Sequence, residues 1–93
     1  YLVSTLCSYG DRGDFQAHPT EPLNLDLPRL AQHIAANGAA GIRSDGVRIL
    51  LEWRGANVML FSSGRMILEN LRPARQTAAA EFIRDLFGAA AAG

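Results

Sequence analysis

Lysine is absent: all nine basic residues of this 93-residue chain are arginines, and nine Asp and Glu bring the formal net charge to zero. A neutral chain has no bulk field to steer it toward nucleic acid or anionic lipid, so any electrostatic recognition must come from charge segregated on one face. There is one cysteine, Cys7, which excludes an internal disulfide scaffold and leads us to expect a reducing, cytoplasmic setting. No apolar run approaches membrane-spanning length, so no membrane partner is expected. Missing too are a nucleophile flanked by a base, a Gly-rich phosphate loop before a helix, and a standard metal-ligand spacing; Asp11, Asp14 and His18 are too irregularly placed to make one. The chain therefore reads as a non-enzyme with no catalytic residue, metal or cofactor.

What the chain does have is alternation. Residues 58–68, VMLFSSGRMIL, place apolar side chains at every second position on either side of Ser62, Ser63 and Gly64, the mark of a β-hairpin. Residues 47–54 alternate as well: Val47, Ile49, Leu51 and Trp53 against Arg48, Leu50, Glu52 and Arg54. The first seven residues are rich in β-formers and predict a first strand, residues 8–22 carry the Gly, Asp, His, Thr and Pro of a long loop, and residues 39–44 suit a short edge strand before the Asp45-Gly46 turn. Asp26 predicts the cap of a helix whose stripe is Leu27, Leu30, Ala31 and Ile34, ended by Asn37-Gly38. A second helix is predicted to open at Pro73 and to bury Ala79, Phe82, Ile83 and Leu86, with residues 89–93 fraying.

These elements make one α+β domain over residues 1–93, a curved antiparallel sheet of four to five strands in the order β-α-β-β-β-β-α, with both helices on one face. The covered face is predicted to carry Leu2, Leu6, Val47, Ile49, Leu51, Trp53, Val58, Leu60, Met66 and Leu68. Val3, Thr5, Arg48, Leu50, Glu52, Asn57, Met59, Phe61, Arg65, Ile67 and Glu69 then fall on the other face, and no third helix remains to cover them. A small domain that leaves such a mixed apolar and cationic face open has a partner for it.

The segment Phe61-Ser62-Ser63-Gly64-Arg65-Met66 resembles the FSSGKM segment of the TATA-box-binding protein family, and the order of elements is similar to one structural repeat of that fold. Members of the family carry two such repeats, which form a saddle whose concave sheet grips the minor groove of duplex DNA. For a single repeat the resemblance implies a homodimer presenting one continuous sheet. It makes Phe61 a wedge between base pairs, sets Val3, Met59 and Ile67 along the groove, and sets Asn57, Ser63 and Arg65 near the groove or its phosphates, while Arg48 and Leu50 join them as candidate contacts through their place on the same open face. Ser44, Tyr1 and Glu69 stand where the family has a second wedge phenylalanine, a groove-reading asparagine and a small threonine. The alternative is a protein-interaction or oligomerisation module that uses the same sheet face without DNA.

Overall fold

The computed structural model describes residues 1–91. Six strands and two helices follow one another as β1 (Leu2–Tyr9), β2 (Arg12–His18), α1 (Leu27–Ala36), β3 (Ala40–Ser44), β4 (Arg48–Trp53), β5 (Ala56–Phe61), β6 (Met66–Leu71) and α2 (Gln76–Ala91). The strands form a single sheet in the order β1-β2-β6-β5-β4-β3, with every neighbouring pair antiparallel. The chain from β2 to β3 runs through α1 from one side of the sheet to its far edge, and α2 returns to pack on α1 and β1.

The largest departure from expectation is β2. Residues 8–22 were expected to be a loop, yet Arg12–His18 forms a strand between β1 and β6, six strands replace four or five, and the order becomes β-β-α-β-β-β-β-α. Gly13, Phe15 and Ala17 are buried while Arg12, Asp14, Gln16 and His18 face the other way, so the segment alternates like any half-covered strand. Gly13 fits because a Cβ there would stand 3.2 Å from Ala74 Cβ, from the Cys7 carbonyl and from the Phe15 ring.

With β2 inserted, β1 becomes an edge strand. Leu2 and Leu6, expected in the core, are 67% and 50% exposed. Val47, also expected in the core, lies before β4 begins and is 63% exposed. The alternation of Ile49, Leu51, Trp53, Val58, Leu60, Met66 and Leu68 holds, and these residues join Phe15, Ala17, Leu71 and the helix residues Leu27, Ile34, Ala79, Phe82, Ile83 and Leu86 in one core. Ala56 opens β5 as a buried residue.

Asp26 caps α1 as expected, accepting the Arg29 N–H at 3.4 Å, and Gly38 at φ 98° follows the helix end. Pro73 does not open α2: it follows a cis bond from Arg72, its carbonyl accepts the Arg75 N–H at 2.9 Å, and the helix begins at Gln76. Of residues 89–93, expected to fray, α2 includes those up to Ala91, and Ala92 and Gly93 lie outside the described residues. Trp53 closes the core at one end. Its ring meets Phe82 edge-on at 5.3 Å, its Nε1 donates to the Asn37 carbonyl at 3.3 Å, and the Arg54 guanidinium lies 4.1 Å above it.

Candidate nucleic-acid interface

Both helices pack on the face that carries the core, which leaves the opposite sheet face to its own side chains. Strand register sorts that face into rows. Arg43, Leu50, Met59, Ile67 and Gln16 are successive cross-strand partners from β3 through β4, β5 and β6 to β2, and Ser4 of β1 completes the row. Leu50, Met59 and Ile67 are half-buried and form an apolar stripe across the middle strands. On one side of it Glu52, Asn57 and Glu69 are paired and exposed. On the other side Arg48 pairs with Phe61, and the Phe61 N–H donates to the Arg65 carbonyl at 2.9 Å. The face is therefore graded along the strands, acidic at one end, apolar in the middle, aromatic and cationic at the other. A shallow depression of about 310 Å³ spans the first two zones, lined by Arg43, Leu50, Glu52, Asn57, Met59 and Glu69 among others.

Eight of the nine residues predicted for the interface come together here. Arg48, Leu50, Asn57, Met59, Phe61, Arg65 and Ile67 share the open face, and Ser63 lies in the turn at its end. Val3 does not belong with them. It pairs with Ala17 and packs against the core on the helix side of β1, and β2 separates its strand from β6. Thr5 is likewise paired with buried Phe15 on the helix side. The open-face positions nearest β6 are those of β2, namely Asp14, Gln16 and His18, whose alternation is masked in the sequence by the segment's Gly and Asp content.

The cationic end is held in place by local bonds. Arg48 Nε donates to Asp45 Oδ2 at 2.9 Å and its Nη1 reaches Met59 Sδ at 3.8 Å, which lays the side chain along the stripe. Asp45 also accepts the Val47 and Arg48 backbone N–H groups at 3.2 and 3.1 Å. The Val47 N–H, then the Arg48 guanidinium, hold the Asp45 carboxyl below its ordinary pKa. Arg65 lies with its guanidinium 5.4 Å from the Phe61 ring centre, and its Nε is buried without a hydrogen-bond partner among the described residues.

The turn between β5 and β6 is clasped from behind. Leu23 and Leu25 N–H groups donate to the Ser63 and Ser62 carbonyls at 3.0 and 2.9 Å, and the Tyr1 hydroxyl donates to the Gly64 carbonyl at 2.8 Å. Burial raises the Tyr1 phenol above its ordinary pKa, which keeps that donor protonated. At the other edge, β1 leaves Leu2, Leu6, Tyr9 and Cys7 exposed, while the Tyr9 hydroxyl donates to Asp14 Oδ1 at 2.8 Å.

Among the described residues no group of three His, Cys, Asp or Glu side chains could hold a metal, and no helix is long and apolar enough to cross a membrane. No protein-family model, curated protein or solved structure matches this chain.

Proposed function

We propose that this chain binds duplex DNA as a homodimer, its two copies joined at their β1 edges so that the open faces form one concave sheet against the minor groove. The observation that carries the reading is the uncovered face itself, an apolar stripe ending at Phe61 with the Arg65 guanidinium beside it. Phe61, at the end of its strand, is placed to enter a base step, and the resemblance of its segment to FSSGKM assigns it that role.

The β1 edge supports the dimer. Leu2, Leu6 and Tyr9 are three of the most exposed large apolar side chains among the described residues, and all three lie on one free edge. Free edges with exposed apolar groups pair with other strands, and a two-fold axis makes that pairing self-limiting. With no lysine and few free cations on the face, recognition in this reading rests on groove width and ease of bending rather than on phosphate charge.

Fluorescence anisotropy with A·T-rich and G·C-rich duplexes at low salt, alongside sedimentation equilibrium, tests the proposal. Leu6→Arg is expected to shift the protein to monomer and weaken duplex binding, while Phe61→Ala keeps the dimer and abolishes bending. Failure of the dimeric protein to bind either duplex refutes it.

One observation favours a second reading. Glu52 and Glu69 occupy the same face as Arg48 and Arg65 at opposite ends of the apolar stripe. A second copy laid face to face about a two-fold axis would set acids against cations. In that case Phe61→Ala dissolves the dimer and Leu6→Arg does not.

A further inference from the structure

Beyond the acidic row, at the end of the sheet remote from Phe61, three arginines surround one depression. Arg12 at the start of β2, Arg54 and Gly55 in the β4–β5 turn, and Asn70 and Arg72 at the end of β6 line a space of about 390 Å³. No part of the open-face reading uses them.

The backbone is unusual at this place. Arg54 and Asn70 have φ of 50° and 62°, the positive-φ residues other than glycine among those described, and both line the depression. A side-chain-bearing residue in the left-handed region is strained, and such conformations gather where ligands are held. At the first position of this tight hairpin turn Asn, Asp or Gly is the ordinary occupant, and here an arginine stands in its place. The guanidinia are aimed rather than free to wander. Arg12 Nη1 donates to Asn70 Oδ1 at 3.2 Å, Asn70 Nδ2 donates to the Gly55 carbonyl at 3.3 Å, and Arg54 is fixed between the Trp53 ring and Asp85 Oδ2 at 2.9 Å.

A carboxylate already lies between two of the three arginines. Asp11 sets one oxygen 3.9 Å from Arg12 Nε and the other 3.8 Å from Arg72 Nε, and its side chain is 74% exposed. Those separations exceed the 2.7–2.9 Å of a charge-assisted hydrogen bond, so Asp11 is a loose occupant that a better-shaped anion can displace. Two further acids lie nearby: Asp85 already pairs with Arg54 at 2.9 Å, and Asp14 is turned to the Tyr9 hydroxyl and to the Asn70 N–H, which it accepts at 3.0 Å.

We infer that Arg12 and Arg72, with Asn70, form an oxyanion site for a phosphate group, with Asp11 as its displaceable internal counter-ion and with Arg54, paired to Asp85, at the rim. Planar guanidinia present paired N–H donors that match the oxygens of a phosphate. The site stands whether or not the open face binds DNA, because none of its residues lies in that interface.

The test is a ¹H–¹⁵N titration of the full chain, following the Arg Nε–H, Gly55 and Asn70 signals, with inorganic phosphate, a nucleoside monophosphate and a short duplex, and with chloride at matched ionic strength as control. Saturable shifts confined to these signals are expected, weakened about tenfold or more in the exposed-side-chain variant Arg72→Gln and restored toward wild type by Arg72→Lys. Saturation by inorganic phosphate or the monophosphate identifies a free phosphate ligand, and saturation by the duplex alone identifies a backbone phosphate. Shifts that only track ionic strength, or that Arg72→Gln leaves unchanged, overturn the inference.

Discussion

Phe15→Ala probes the strand that the composition concealed. Phe15 is 0% exposed, pairs with Thr5 on one side and Leu68 on the other, and sits in the single core. Truncating a fully buried phenylalanine costs about 3–5 kcal/mol, the transfer of the ring plus the cavity left behind. A domain of this size has roughly 5–14 kcal/mol in all, so the loss is a large fraction of what holds it folded. With a urea dependence of about 1–3 kcal/mol per molar, the unfolding midpoint followed by circular dichroism should fall by at least about 1 M. Gln16→Ala is the internal control. It removes the next side chain on the same strand, which points to the open face and is half-buried, and should cost about 0.5 kcal/mol or less. A loss below about 1 kcal/mol for Phe15→Ala, or equal losses for the two variants, would show that residues 12–18 are not a core strand.

Gly64→Ala is expected to cost about 1–3 kcal/mol, because Gly64 has φ 94° and a Cβ there would stand 2.9 Å from Leu23 Cδ1. Gly46→Ala, at φ 90° with nothing within 4 Å, should lose only the backbone part, so equal thermal-melt shifts for the two would discount the Leu23 contact. Asp45, with its carboxyl held below its ordinary value of 3.8, contributes stability that is fully present above that value and is lost as the pH falls through the lowered folded one. The gap in urea midpoint between wild type and Asp45→Asn should therefore narrow as the pH drops below about 4, and a gap constant from pH 6 to pH 2 would contradict the assignment.

Strands were legible in this chain where a run of large apolar residues was bounded by turn residues. Ile49, Leu51, Val58, Leu60, Met66 and Leu68 were legible because each lies in such a run, set off by Asp45-Gly46 or by Ser62-Ser63-Gly64. β2 was not, since its inward residues include a glycine and an alanine, which carry almost no hydropathy signal, and only Phe15 stands out. That omission had a distant effect: with the neighbouring place on the sheet taken by β2, β1 moved to the edge and its Leu2 and Leu6 to solvent, and Val3 left the candidate interface. Pro73 was placed in a helix by its type, but the turn it makes before Gln76 is a local backbone feature with no periodic signature. The arginine cluster was invisible for another reason. Arg12, Arg54 and Arg72 are far apart in the chain, and only strand order makes them neighbours.

The clasp behind the β5–β6 turn has a thermodynamic consequence. Its backbone bonds from Leu23 and Leu25, and the Tyr1 hydroxyl on Gly64, hold the hairpin tip from segments remote in sequence before any ligand arrives. A tip already ordered in this way surrenders little conformational entropy on association, so the cost of fixing Phe61 and Arg65 is met at folding rather than at binding. Binding at this end should then carry a heat-capacity change set by the surface it covers, without the larger excess that accompanies a segment folding onto its partner.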